Sequence, residues 1–358
     1  MKKMVKYPST PQFREVVSDV NRKHNFCGLD ENGEPIYDPS KPKPIIKFIG
    51  TVKLHGTSAG VLFNNKSGMW CQSRGNIITP QSDNAGFAFF AESTKESWLR
   101  IINEIADKYG IDLDNNTIGV YSEWAGSNIQ KGVGITNIEK SVFIYGIKIS
   151  PIVENEEELK NNPAYWVDYS GFRDNEKRIY NMLDFQTYEI EIDFNRPELS
   201  QNKMIEMTLS VEDECPVAKH FGFPNTVGEG IVFSNLDENG VRIFFKSKGE
   251  KHAGVSKVKT LKPVDDARVQ KCIDLAEKIT PAWRLEQMLN ETFDTLNGGT
   301  FDVKDTGKYI KSVMNDIVKE ELQTISDEGL EIKDIGKYVS EISKKFFSQR
   351  LNEKVGLS

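Results

Sequence analysis

The stretch TVKLHGTSAGVLF, residues 51–63, plants Lys53 in a run that otherwise reads as a buried strand. A lysine amine attacks phosphorus or carbonyl carbon only when neutral, so a nucleophilic lysine needs a pocket whose cationic neighbours or dryness favour that form. Gly56 would let the backbone approach a bound phosphate or sugar more closely than a residue with a Cβ allows. Taken alone, Lys53 is better read as an edge-strand side chain that snorkels to solvent. Its weight comes from other strands: Arg74 in CQSRGN, Glu123 in VYSEWAG, Glu229 in GEGIVF, and Lys246 and Lys248 in FFKSKGEKH. Each of these charges sits in or beside an aromatic or β-branched run, where burial is expensive unless another charge or a ligand answers it. Lys246 and Lys248 are two apart on a strand and project to one face. Two ammonium groups there could hold a triphosphate and disfavour a third charge on Lys53. Glu123 and Glu229 could supply ribose contacts and oxygen ligands for magnesium, a hard cation that bridges carboxylates and phosphates.

With these residues in place the chain resembles the covalent nucleotidyltransferases, the superfamily of polynucleotide ligases and mRNA capping enzymes. KLHG, Lys53 to Gly56, is similar to their first motif, K-x-[DH]-G, whose lysine is joined to a nucleoside monophosphate. SEWAG resembles motif III, FIYGI from Phe143 motif IIIa, EGIVF from Glu229 motif IV and FFKSK motif V, in family order over residues 45–260. Histidine in K-x-H-G, where DNA ligases and capping enzymes usually have aspartate, points to the RNA ligase 2 type.

The resemblance implies an α+β protein: an antiparallel-sheet nucleotidyltransferase domain, ATP-grasp-like, over residues 1–264, and a small all-helical domain over 265–358. It implies an ATP-dependent RNA ligase that joins 5′-phosphate and 3′-hydroxyl ends through a lysyl-AMP and an adenylated RNA end, with ATP and Mg2+ or Mn2+. Position by position, Lys53 would be the adenylated nucleophile, with His55 and Gly56 beside it in the nucleotide site. Arg74 would contact the nucleotide or the phosphate of the RNA end, Glu123 the ribose, and Phe143 would stack on adenine. Glu229, with Glu123, would bind metal or orient Lys53, while Lys246 and Lys248 would grip the phosphates. Ser58 stands at the RNA end where such relatives commonly carry Asn. Lys251, His252, Lys257 and Lys259 could track an RNA backbone or solvate a linker between domains. The implied partner is RNA, as a nicked duplex or a broken structured molecule, in RNA repair alongside end-healing enzymes. Two alternatives stay open: another covalent nucleotidyltransferase, such as a capping guanylyltransferase or DNA ligase, and a non-catalytic nucleic-acid end-binding protein.

The elements that must position these residues are legible in outline. IKFIGTVKL, SAGVLFNN, TIGVYSEWAG, SVFIYGIKI, GIVFSN and VRIFFKSK read as strands, and the first ~45 residues, with DENGEPIYDPSKPKP, as an irregular excursion. Ser93 and Glu96 have the spacing of a capping box ahead of apolar Trp98, Ile101, Ile102 and Ile105, with Gly110 as the stop. Past Val264 helical periodicity takes over: Leu275, Ile279, Trp283, Leu285, Met288, Leu289, Phe293 and Leu296 fall on apolar faces, broken at Thr280-Pro281. DTGKYIKSV from Asp305 and DIGKYVSEI from Asp334 echo one another, each Asp being expected to cap its helix.

Composition sets the limits. The 358 residues carry a net charge of −7, which argues against nucleic acid on average, yet residues 246–263 hold six lysines against one glutamate, whereas ENEEE, 154–158, reads as an acidic surface loop. No apolar run nears the roughly 20 residues of a membrane span, and MKKMVKYPSTPQFRE lacks a secretion signal's apolar core, so a cytoplasmic location is expected. The four scattered cysteines read as reduced thiols without a zinc pattern. His24 and His220 lack metal-ligand spacing, and Trp70, Trp98, Trp124 and Trp166 read as packing residues. No oligomer interface is evident, which points to a monomer.

Overall fold

The computed structural model describes residues 2–29, 33, 35–153, 156–249 and 261–354. Two compact units emerge: the first draws on Met1–Val16, Ile46–Ile192 and Ser200–Lys262, the second on Val17–Ile45, Asp193–Leu199 and Pro263–Ser358.

The first unit is built on two sheets. In the larger, the strands follow the order β10 (Ile179–Asn181), β8 (Ser141–Pro151), β7 (Asn116–Ala125), β4 (Thr57–Asn64), β5 (Gly68–Ser73) and β6 (Ile77–Ile78), with β9 (Tyr165–Val167) also on β8. Every pairing is antiparallel except β10 with β8. The smaller sheet runs β11 (Thr187–Asp193), β3 (Ile45–Val52), β12 (Gly230–Leu236) and β13 (Arg242–Lys248). All six strands expected from the sequence form. Those at the centre of the large sheet read as near-continuous apolar runs because both faces are covered. On one face, helix α2 (Phe87–Ser93) sets Phe87 and Phe90 against Trp124 of β7, beside α3 (Lys95–Tyr109) with its buried Trp98, Ile101, Ile102 and Ile105. On the other, Tyr7 bridges the sheets, its ring 5.3 Å from Tyr121 of β7 and 5.6 Å from Phe244 of β13. Glu123, two residues after Tyr121, shares that inter-sheet face.

Several local expectations need correction. Ser93 does not cap α3: it ends α2, and its hydroxyl and that of Thr94 both donate back to the Phe90 carbonyl. Gly110 does stop α3, in the left-handed conformation. The ENEEE run enters α4 (Glu156–Asn161) at its third residue, its first two lying outside the described residues. Helix α5 (Gln201–Asp213) and the short α6 (Pro216–His220), which places His220 against Phe185 and Phe221, complete the unit. The first 45 residues are not irregular throughout: Phe13, Val16 and Val20, at helical spacing, are the buried stripe of α1 (Phe13–Asn25). Strands β1 (Phe26–Leu29) and β2 (Pro35–Tyr37) follow as an antiparallel pair.

In the second unit α7 (Asp266–Ile279), α8 (Ala282–Phe293), α9 (Thr306–Asp327) and α10 (Ile332–Lys354) close around one core that includes Leu285, Val313, Ile335 and Phe347. Trp283 and Leu296 do not join it, being 64% and 83% exposed. Trp283 lies about 200° around α8 from Leu285, and Leu296 falls in a turn after the helix. Nor do the echoed aspartates act as expected. Asp305 accepts from the Asp302 N–H and Asp334 from the Glu331 N–H, each reaching back three residues as the acidic half of a box at the helix entrance. The four cysteines are free thiols, Cys27 exposed and Cys71, Cys215 and Cys272 buried. No helix among the described residues is long and apolar enough to cross a membrane.

This core gives a direct contrast. Phe347 is fully buried against Tyr309, Phe301 and Phe293, so Phe347→Ala should cost roughly 3–5 kcal/mol of unfolding free energy in urea titration. Trp283→Ala, losing only an exposed ring beneath Arg284, should cost under about 1 kcal/mol. Equal losses would contradict the placement of the two rings.

Candidate active site

Lys53 is the first residue after β3, and its N–H continues the ladder to the Gly230 carbonyl at 2.8 Å. Strand pairing then fixes what surrounds it. Thr51, Val232 and Lys246 stand in register across β3, β12 and β13, and Gly230 is opposite Lys248. Glu229, the residue before β12, thereby arrives beneath the lysines with only 3% of its side chain exposed. Its Oε2 is 2.6 Å from Lys53 Nζ and 3.3 Å from His55 Nδ1, while its Oε1 is 2.6 Å from Lys248 Nζ. Burial pushes the Glu229 carboxyl up, but the charges and hydrogen bonds of Lys53 and Lys248 together outweigh it and hold the group below the usual carboxylate range.

Two glycines make this geometry possible. Gly230 has φ +143°, and a Cβ there would stand 2.2 Å from the Ser247 carbonyl, so only glycine lets Glu229 come up against β13. A Cβ on Gly56 would meet the Trp124 carbonyl at 2.4 Å. The close approach expected at Gly56 is therefore of its own chain, β7, and the Gly56 N–H donates to Glu123 Oε1 at 2.9 Å. Burial raises the Glu123 carboxyl to about 7; the charge of Lys53 and the Gly56 hydrogen bond pull the other way, and Glu229 adds to the rise.

Lys53 and Lys248, which share Glu229, border a cavity of about 420 Å³ that Glu229 itself does not line. Lys53, Gly56, Ser58, Arg74, Glu123, Lys246 and Lys248 all line it, so seven residues expected at a nucleotide or RNA site converge on one space. Lys246 Nζ donates to the Thr10 carbonyl at 2.8 Å; burial and then the neighbouring Lys248 and Lys53 lower its pKa. Arg74, exposed on the loop after β5, donates from Nη2 to Ser9 Oγ at 3.1 Å. His55 touches Glu229 and borders a separate groove with Asn128, Gln130 and Thr136.

Phe143 is not placed for base stacking. Its ring is fully buried among Tyr180, Phe185 and Phe221, leaving no face open to a ligand. Tyr145, two residues on, lines the cavity instead, at the extra residue that β8 carries where Tyr121 pairs with Gly146 and Ser122 with Ile144. Its hydroxyl lies 3.1 Å from Ser58 Oγ. Among the described residues no group of three or more His, Cys, Asp or Glu could hold a metal ion, and both Glu229 oxygens face ammonium groups. Lys251, His252, Lys257 and Lys259 lie outside the described residues.

A sequence model of the RNA ligase family matches residues 46–248, more than half of the chain. The chain belongs to the RNA ligase family. Every charged residue of the cavity falls within that span. Among solved structures this RNA ligase family member is similar to the Naegleria gruberi RNA ligase with pyrophosphate, at 14% identity and a TM-score of 0.40, covering 71% of this chain and 59% of that one. A lysine-to-methionine mutant of that ligase with AMP and manganese matches at 15% identity and TM-score 0.40, over 71% and 59% of the two chains. A lysine-to-alanine mutant with ATP and manganese matches at 15% and 0.40, over 71% and 58%. The chain thus spans about three-fifths of the length of these solved ligases. No curated protein matches it.

The cavity contains residues that sequence inspection passed over: Tyr7, Ser9, Thr10, Tyr145 and Arg242. Arg242 carried a usable signal, since it shares the parity of Lys246 and Lys248 in a run of aromatic residues. Ser9 and Thr10 carried none, their place being set by partners far along the chain.

The raised carboxyl gives a pH prediction. Folded Glu123 holds its proton more tightly than the unfolded chain, so it adds stability at acid pH that is lost as pH rises from about 4.5 to about 7. The thermal midpoint of wild type should therefore fall relative to that of Glu123→Gln between about pH 5 and about pH 8. Parallel pH profiles would show that Glu123 titrates normally.

Proposed function

We propose that this RNA ligase family member is an ATP-dependent ligase that seals 5′-phosphate and 3′-hydroxyl RNA ends through a lysyl-AMP intermediate. The observation that carries the proposal is that Lys53 and Lys248, which share the buried carboxylate of Glu229, line one cavity together with Lys246 and Arg74. Phosphoryl transfer needs little from a protein beyond positioning and compensation of charge, and this cavity supplies both.

In the first step Lys53 releases its ammonium proton to solvent, and the neutral amine, held in place by its hydrogen bond to Glu229, attacks the α-phosphorus of ATP. The N–P bond forms as the bond to the bridging oxygen of the β-phosphate breaks, and pyrophosphate leaves with the electron pair. Lys246, Lys248 and Arg74 balance the charge on the departing phosphates. A phosphate oxygen of the 5′-phosphate RNA end then displaces Lys53 from AMP. Finally the 3′-hydroxyl attacks the activated phosphorus, AMP departs and the hydroxyl proton is released. Glu123, which lines the cavity beside Gly56, would accept from ribose hydroxyls. Tyr145 rather than Phe143 would border the base. Magnesium or manganese would arrive on the phosphates of ATP, as part of the substrate. Residues 265–358 would act as a helical domain gripping duplex RNA.

Incubation with α-labelled ATP and magnesium should leave label on wild-type protein and none on Lys53→Ala. Persistent labelling of the variant would refute the assigned nucleophile. Wild type should then seal nicked RNA bearing a 5′-phosphate; sealing of DNA alone would move the substrate to the other nucleic acid.

A further inference from the structure

The phosphate end of the cavity gathers more positive charge than its one shared carboxylate balances. Lys53 and Lys248 divide Glu229 between them, whereas Lys246 and Arg74 form no ion pair with a carboxylate among the described residues and hydrogen-bond instead to the N-terminal segment. That segment is fastened on both sides of the site. Gln72 exchanges two hydrogen bonds with the main chain of Val5, Tyr121 donates to the Val5 carbonyl at 2.6 Å, and the Lys246 N–H donates to the Pro11 carbonyl at 3.0 Å. Between these anchors, Tyr7 packs on Tyr121, Tyr145, Trp166 and Phe244. Residues 7–10 therefore reach the cavity on a track set by both sheets, and Ser9 and Thr10 come to lie at its cationic end.

We infer that Ser9 and the Thr10 main chain are positioning groups for the phosphate site: the Ser9 hydroxyl aims the Arg74 guanidinium, and the Thr10 carbonyl aims the Lys246 ammonium. Neither oxygen carries charge. Each can hold a cation in place without neutralising it, as a carboxylate would, and so leaves the charge available to a phosphate. Burial together with the charges of Lys248, Lys53 and Arg74 already disfavours the ammonium of Lys246, which means that without such an acceptor the side chain would turn away toward solvent. Arg74 sits on an exposed loop, where an unanchored guanidinium samples many rotamers, each of which must be given up on binding.

The inference rests on the cavity binding ATP, and the test separates the two. Initial rates of label transfer from α-labelled ATP give kcat and KM for lysyl-AMP formation in the full chain. Ser9→Ala should raise KM for ATP about five- to tenfold with kcat within about twofold, the loss of one hydrogen bond to a charged group. Ser9→Thr, which keeps the hydroxyl, should restore KM. In an Arg74→Ala background, removing the Ser9 hydroxyl should change nothing further, because its effect passes through Arg74. An unchanged KM in Ser9→Ala, or additive losses in the double variant, would overturn the inference. A wild type that takes up no label would instead remove the ligase assignment on which it rests.

Discussion

One carboxylate holds the site together. Glu229 is buried, and a buried carboxylate is costly unless both oxygens are answered. Lys53 and Lys248 answer them at equal distances from opposite sides, which joins the end of β3 to the end of β13. Replacing either lysine would strip one buried carboxylate oxygen of its ammonium partner, so each half of the arrangement depends on the other. It also fixes the position of the Lys53 amine at the edge of the cavity.

That carboxylate can be there only because the backbone allows it. Gly230 lets the chain turn in against β13, and Gly56 lets the loop after Lys53 settle on β7. The second approach brings the Gly56 N–H to Glu123, tying the nucleophile's loop to the large sheet. Two acidic residues thus sit near one another under opposite influences. Glu229 is drawn below the carboxylate range by paired ammonium groups, whereas Glu123, with one hydrogen bond and more burial than charge compensation, is driven up to about 7. Environment divides their roles: Glu229 is a fixed counter-charge, and Glu123 is a group whose proton comes and goes near neutral pH.

Much of this was legible in the sequence. The six strands showed because each is a buried run bounded by turn formers, and the charges within them stood out because burial makes a charge anomalous. The convergence of Lys53, Arg74, Glu123, Lys246 and Lys248 follows from that anomaly. What escaped detection has a physical reason in each case. Phe143 shares a face with Glu123, but Tyr180, Phe185 and Phe221 cover its ring, a coverage that no local pattern announces. The capping assignment at Ser93 failed because a serine hydroxyl can donate backward to the preceding turn as readily as it accepts from the next. Trp283 was assigned to a core on its hydrophobicity, against its angular position on α8.

The site is also the least local feature of its unit. Lys53 meets Glu229 across 176 residues of sequence, Gly56 meets Glu123 across 67, and Lys246 meets Thr10 across 236. No fragment of the unit contains a working set of these contacts, so the cation cluster can assemble only after both sheets have paired and the N-terminal segment has been laid between them. Contacts of such long range form late and are lost early. The energy that holds four cations near one another must then come from the surrounding apolar burial, chiefly the β7 and β8 core and the aromatic packing around Tyr7, rather than from the polar contacts of the site itself. Such a fold can hold a cluster poised for phosphate because its cost is spread over the whole unit.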